Sequence, residues 1–212
     1  MAKSKRREII KERHKQEIIE SALHLFGTKG YKNTTMEEIA EHAQFSKGAI
    51  YFYFKSKKQL FDEILTDLFD KIQSLAEEAK KLRGNARDRL RFYASEIIKF
   101  FLTESKFSFH VMMQAIMQME TDEMEMTRNY VLNRLSNISK ILTDIIKADI
   151  KSGKLKNIDP NLVVMAFNGM LRDVIYGCLT NENISANPDQ IVDSIIEIIF
   201  DGISKNKKEA ER

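Results

Sequence analysis

The chain has 212 residues, 43% of them hydrophobic, and a formal net charge of +3, which is length enough for a real core in one large domain or two small ones. Two prolines and eight glycines are too few for the turns of a β-fold, and the prevalence of Lys, Glu, Ile, Leu, Met and Ala favours helix, so an all-α fold is expected. No apolar run nears the roughly 18 residues of a membrane span, the opening MAKSKRREIIKERHK has no secretory h-region, and the lone Cys178 excludes an internal disulfide and fits a reducing, cytoplasmic setting.

Charge is uneven. Lys3, Lys5, Arg6, Arg7, Lys11, Arg13 and Lys15 oppose only Glu8 and Glu12 at the N-terminus. Such a basic arm suits a polyanion, and equally suits a solvated end. From about residue 8 to residue 29 the pattern predicts a first helix, with Ile18, Ile19, Ala22, Leu23, Leu25 and Phe26 on one stripe. Gly30 stands where a helix ends on a left-handed residue.

A second helix opens on a capping box, with Thr35 as N-cap and Glu38 three residues on. Met36, Ile39, Ala40 and Ala43 form its short inward face. Ser46 then caps a third helix with Lys47, Gly48 and Ala49 in its first turn and Ile50, Tyr51, Tyr53 and Phe54 after them. So short a helix is unstable alone and needs packing, most simply through Ile50 and Phe54.

That third helix suits DNA. Its first turn offers free N–H groups, Gly48 and Ala49 permit close approach to base edges, and Lys47 is a long cationic donor. Tyr51 and Tyr53 carry hydroxyls that can bond phosphates. Phe52 points away from Ile50 and Phe54, toward a base or toward the basic arm. A fourth helix follows at once, with Ser56 and Gln59 as a second capping box and Lys55, Lys57 and Lys58 around its start. Leu60, Phe61, Ile64, Leu65, Leu68, Phe69 and Ile72 carry its apolar face on to about Leu82.

The pattern Phe26-x-x-x-Gly30-Tyr31, Thr34-Thr35-Met36-x-x-Ile39-Ala40, Ser46 to Phe54, then Ser56-Lys57-x-x-Leu60 resembles the TetR family of transcriptional regulators. The likeness covers roughly residues 15–65 and is most specific in SKGAIYFYFKSK. The resemblance implies a DNA-binding domain over residues 1–56 and an effector-binding and dimerisation domain over residues 57–212. It implies phosphate contacts from Thr35, Tyr51, Tyr53 and Lys57, and groove-facing positions at Lys47, Gly48, Ala49 and Phe52. It further implies a homodimer on a palindromic operator, released by a small effector. One position departs: the family commonly has Gly where Gln44 stands, and a slightly altered turn is expected because Gln pays a steric cost in the left-handed region.

Arg83-Gly84-Asn85 breaks the helical pattern. Leu90, Tyr93, Ala94, Ile97, Ile98, Phe101 and Leu102 then form another stripe, followed by a Met- and Phe-rich stretch to Met119 and an acidic patch at Glu120, Asp122, Glu123 and Glu125. A long helix is expected from about residue 124 to residue 151. Asp159-Pro160 and Asn187-Pro188 each mark a capped start for the last two helices. Both are apolar over more than one narrow stripe, which asks for a second burial partner. In the family such helices pair with those of another subunit, here at about residues 160–179 and 188–204.

No catalytic constellation, metal site or cofactor motif is evident, since His14, His24, His42 and His110 are scattered and no Gly-rich loop occurs. Methionine adapts to irregular apolar shapes, and the family needs an effector cavity. Phe107, Met112, Met113, Met117, Phe167, Met170 and Tyr176 are the candidates to line one, with Asn168 or Arg172 as polar contacts. A fatty acyl compound or a lipophilic drug would suit it. The expectation is a ligand-responsive repressor. The rivals are a regulator of the same family acting as an activator or without an effector, and a helical lipid carrier or enzyme with an incidental helix-turn-helix.

Overall fold

Helix-favouring composition and well-marked caps produce a helical protein. The computed structural model describes residues 2–104, 106–117, 122–180 and 187–203, with side chains described at all of these but 2–4, 104, 114–117, 122–124 and 202–203. Among the described residues there are nine α-helices and no strand. They are α1 (Ala2–Lys29), α2 (Met36–His42), α3 (Lys47–Tyr53), α4 (Lys57–Lys81), α5 (Ala86–Lys99), α6 (Lys106–Met117), α7 (Asp122–Lys151), α8 (Pro160–Thr180) and α9 (Pro188–Ile203). A π-helical turn, Phe100–Glu104, lies between α5 and α6.

The basic arm is part of α1, which begins six residues before the expected start at Glu8. Lys, Arg and Glu are good helix formers, and the bond from Arg13 to Glu17 one turn on supports the extension. Of the acidic patch, Glu120 and the side chains of Asp122 and Glu123 lie outside the described residues, as does the charged tail from Lys205.

Two compact units divide the chain: residues 1–69 with 107–131, and residues 70–106 with 132–212. The division falls inside α4, after Phe69, rather than at the helix start. The compact units are therefore divided elsewhere than at the expected 56/57 boundary.

In the first unit, Ile18, Ala22 and Phe26 of α1, Ile39 of α2, Ile50 of α3, Phe54 and Leu60, Phe61, Leu65 and Phe69 of α4 are sealed from solvent. Each of these Ile, Leu and Phe side chains contributes about 1.5–3 kcal/mol on burial. The rings of Phe26, Tyr31 and Phe61 meet at 4.6–5.5 Å between centroids. They hold the end of α1 against α4. α6 enters this unit by laying Phe107 on α1, where a Cβ at Gly27 would stand 2.8 Å from the ring.

In the second unit α5 packs against α8 and α9. Arg87 reaches Asp201, and Arg91 reaches Asp193. Buried Asp149 of α7 accepts the Ala86 N–H at 2.7 Å, capping α5 from a distant element. Locally, Asn85 and Asp88 form a capping box of their own.

α8 corrects one sequence expectation. By length and composition it is apolar enough to cross a membrane, yet only 28% of its most apolar window is buried in the chain. No unbroken run showed this because Asn168, Arg172 and Asp173 interrupt it. Val163, Val164, Phe167, Leu171 and Ile175 face inward. Leu162, Met165 and Tyr176 face outward at 58%, 68% and 54% exposure, joined by Ile198 of α9 at 66%.

Candidate nucleic-acid interface

The helix-turn-helix forms as its caps dictate. Thr35 Oγ1 accepts from the Glu38 N–H at 3.2 Å, and the Glu38 carboxylate accepts from the Thr35 N–H at 2.8 Å. The Lys29 ammonium, the Thr35 N–H and the Thr35 hydroxyl all donate to the Glu38 carboxylate and together lower its pKa to about 2. Buried Thr34 donates from its hydroxyl to the Gly30 carbonyl at 2.9 Å, fastening the end of α1 to the start of α2.

The turn between α2 and α3 keeps a left-handed residue despite the side chain at position 44. Gln44 itself takes the left-handed conformation, with φ 59°. The Gln44 N–H bonds the Glu41 carbonyl at 3.1 Å, and the Phe45 N–H bonds the Ala40 carbonyl at 2.8 Å. That pair of bonds is a Schellman motif, which satisfies the last carbonyls of α2. Both bonds require the left-handed residue, so the backbone geometry prevails over the side-chain cost.

α3 is positioned by its buried residues. Ser46 caps it by accepting from the Ala49 N–H at 3.2 Å, and Ile50 and Phe54 are fully buried. Lys47, Gly48 and Phe52 consequently face solvent, with Ala49, Tyr51 and Tyr53 half-buried. A Cβ at Gly48 would meet nothing within 4 Å. Nothing inside the chain requires glycine there. Phe52 is 64% exposed, with the Lys11 ammonium 5.7 Å from its ring centre. The ring therefore meets the basic start of α1 and still presents an apolar face outward.

Two cations are already engaged. Lys47 pairs with Glu37 of α2 at 2.5 Å, and each raises the tendency of the other to stay charged: their hydrogen bond holds the Glu37 carboxyl low and the Lys47 ammonium high. A groove contact by Lys47 exchanges this exposed pair for DNA. Lys57 donates to the carbonyls of Tyr31 and Thr34, both at 2.8 Å, and lies 4.4 Å from the Tyr31 ring centre. It clamps the connector between α1 and α2 onto the start of α4. Ser56 accepts from the Gln59 N–H at 3.1 Å, and the Gln59 side chain reaches back to the Lys55 N–H at 2.8 Å, one residue beyond the expected box.

Some residues here gave little sign in the sequence. His14 Nδ1 lies 3.0 Å from the Tyr53 hydroxyl. Its ring is edge-on to Phe45 at 5.2 Å and to Tyr53 at 6.2 Å. The available signal was its place four residues before Ile18 on the inward stripe of α1. Thr127 of α7 donates to Asp62 at 2.7 Å and accepts from Lys58 at 3.1 Å, a link between α4 and α7 within the first unit.

Residues 18–64 match the family model of bacterial regulatory proteins of the tetR family. The HTH-type transcriptional regulator YhgD of Bacillus subtilis (strain 168) is 32% identical over 149 residues, covering 70% of this chain and 75% of that one. The chain belongs to the TetR family. It is a DNA-binding transcriptional regulator. The fatty acid metabolism regulator protein of Bacillus subtilis (strain 168) is 23% identical over 188 residues, 88% of this chain and 94% of that one. The crystal structure of AibR in complex with isovaleryl coenzyme A and operator DNA superposes with a TM-score of 0.73 at 21% identity, over 88% of this chain and 98% of that one.

The residues expected to line an effector cavity fall in both units of this TetR-family chain. Phe107, Met112 and Met113 belong to α6 in the first unit, and the Met117 side chain lies outside the described residues. Phe107 packs on Gly27 and edge-on to His24 at 4.8 Å. Phe167 is fully buried in the second unit, 6.2 Å from the Tyr93 ring, and Met170 is half-buried. Burial alone raises the Tyr93 phenol far above its ordinary range. Tyr176 lies on the outer stripe of α8 with Leu162 and Met165, so within one chain it lines no interior. Helical spacing puts residue 176 on the face of 162, 165 and 169, opposite 167, 171 and 175. Asn168 donates to Ser139 at 3.4 Å, and Arg172 pairs with neighbouring Asp173 at 2.9 Å in the open. Among the described residues no group of three metal-ligating side chains occurs.

Proposed function

We propose that the chain is a homodimeric repressor that binds a palindromic operator through α3 and releases it on binding an acyl effector. The observation that carries this reading is the solvent face of α3: Lys47, Gly48 and Phe52 stand outward from a helix anchored by Ile50 and Phe54. Thr35, Ala49, Tyr51, Tyr53 and Lys57 surround that face, with Tyr51 and Tyr53 on the phosphates. Two such helices in a dimer enter major grooves about 34–36 Å apart in the simplest docking.

The outward apolar stripe of α8, with Ile198 of α9, supports a second copy as the occupant of that surface. Gly169 on the same stripe has open space where a Cβ would be, which lets another helix approach closely. Two relatives support an acyl effector over a lipophilic drug: one is named for fatty acid metabolism, and the other was crystallised with isovaleryl coenzyme A and operator DNA. α4 begins beside Lys57 in the first unit and ends in the second, which suits it to carry the effector's influence. The effector must favour the non-binding state, because equal affinity for both states shifts nothing.

The test uses a duplex selected from a random-sequence pool by the purified chain. Operator affinity should fall steeply and log-linearly with salt, as expected when phosphates are neutralised. Adding isovaleryl or palmitoyl coenzyme A should release the DNA at low salt, with the free acids and free coenzyme A as separate arms. A flat salt response sinks the DNA reading. Unchanged DNA affinity in every acyl arm sinks the effector reading and leaves the DNA reading standing.

A further inference from the structure

We propose that His14 is a positioning residue for DNA binding, donating from Nδ1 to the Tyr53 hydroxyl so that the single phenolic proton goes to a backbone phosphate. The proposal rests on the DNA-binding reading above and adds a residue outside the helix-turn-helix to it.

The argument is one of proton accounting at a single oxygen. A phenol has one O–H to donate and lone pairs to accept with. A phosphate oxygen only accepts. Tyr53 Oη stands 3.0 Å from His14 Nδ1, so one proton lies between them in either of two arrangements. If Nδ1 accepts, the phenolic proton is spent inside the protein, and Tyr53 turns only lone pairs toward DNA. Those repel a phosphate. If Nδ1 donates, the oxygen accepts from the imidazole and its own proton is free to point outward. Only the second arrangement joins the observed contact to a phosphate bond.

The ring is built to hold that arrangement. His14 sits half-buried on the inward side of α1, edge-on to both Phe45 of the turn and Tyr53 of α3. Those two rings restrict its tilt and keep Nδ1 on the phenol. A neutral imidazole with its proton on Nδ1 and an imidazolium both donate at that atom, so the device does not depend on net charge at His14. A hydrogen bond from such a donor also polarises the phenol, making its O–H a stronger donor to an anion. α1 thereby takes part in DNA affinity although the bond it makes is internal to the protein.

The experiment measures affinity for the selected duplex in the 212-residue wild type, Tyr53→Phe, His14→Leu, His14→Asn and the Tyr53→Phe/His14→Leu double variant, with melting temperatures recorded alongside. Tyr53→Phe should weaken binding about tenfold or more, the scale of a hydrogen bond to a charged group. His14→Leu should weaken it by a similar factor, and the double variant should be no weaker than either single one. His14→Asn places an amide N–H where Nδ1 stood, and binding should return to within a fewfold of wild type. Nitrogen-15 spectra of His14 in the wild-type complex should report a protonated Nδ1. A His14→Leu chain that binds like wild type overturns the proposal. So does a His14→Leu loss that persists in full on the Tyr53→Phe background, or a bare Nδ1 in the complex. These outcomes leave salt-dependent binding by the wild type untouched, whereas a wild type that binds no duplex overturns the DNA reading and this proposal together.

Discussion

Gln44 shows how much one backbone angle can decide. The Schellman motif at the end of α2 fixes the direction in which the chain leaves for α3, and it needs a left-handed residue at position 44. Gln fills that position at φ 59° and carries a strain of about 1–2 kcal/mol that glycine avoids. Glycine in turn adds about 0.4–1 kcal/mol of unfolded-chain entropy. The net expectation for Gln44→Gly is a gain of roughly 0.5–1 kcal/mol, read as a melting temperature higher by about 1–4 °C. Operator affinity should hardly change, because the φ of the turn is the same. A lower melting temperature would mean that the Gln44 side chain makes up its strain elsewhere. The departure at position 44 was legible in the sequence; its outcome was not, because a type of residue does not say whether the bonds around it or its own sterics prevail. Lys57 teaches the same lesson from the other side. Its place beside a helix start reads as a phosphate site, but the carbonyls of Tyr31 and Thr34 that draw two of its N–H groups inward come from 26 and 23 residues upstream.

Helices whose starts carry a local cap were legible to within a residue or two. Thr35 with Glu38, Ser46, Asp159-Pro160 and Asn187-Pro188 each encode a boundary in adjacent residues, and α2, α3, α8 and α9 begin there. Contacts between helices carry no such local code, and α1 against α6 is the clearest case. Gly27 is a glycine inside α1, where replacement by alanine ordinarily stabilises by about 1 kcal/mol. Here a Cβ would stand 2.8 Å from Phe107 Cδ1 and 3.0 Å from Phe107 Cβ. The ring could swing aside, but the Phe107 Cβ moves only with α6 itself. Overpacking of this kind costs about 1–3 kcal/mol, which outweighs the helix propensity gained. Gly27→Ala should therefore destabilise the chain in chemical denaturation. Paired with Phe107→Ala, it should cost less than the two single changes added together, since each relieves the other. A stabilised Gly27→Ala chain would show that α6 does not rest on α1 at that point. From the sequence alone Phe107 joined the Met-rich cluster as a cavity residue, because hydrophobic spacing says that a side chain is buried and not against what.

At the scale of the whole molecule the open question is the surface of α8. A helix with Leu162, Met165 and Tyr176 all more than half exposed leaves a stripe of apolar surface that a lone chain gains nothing by showing. The sequence marked the excess of apolar residues in α8, and the structure marks the side on which it lies. Arg172 and Asp173 pair with each other on the same side, at 2.9 Å, so a second copy would meet an apolar stripe crossed by one neutralised pair. Met165 tests the proposed dimer because it is 68% exposed and has little role in the core of its own chain. In a monomer, Met165→Glu puts a carboxylate into water and should leave the melting temperature at low protein concentration within about 0.5 kcal/mol of stability, the range of ordinary surface changes. In a symmetric dimer the same change buries the charge on each subunit without a partner, and an uncompensated buried charge costs about 3–5 kcal/mol. Dimer affinity should then fall by at least a hundredfold on the order of 1.4 kcal/mol per decade. Sedimentation at micromolar concentration should show the wild type as a dimer and Met165→Glu as a monomer. Operator affinity should fall with it, since two half-sites engaged by one particle become two separate and weaker events. A Met165→Glu chain that still sediments as a dimer would remove α8 from the interface, while a wild type that sediments as a monomer would remove the dimer itself.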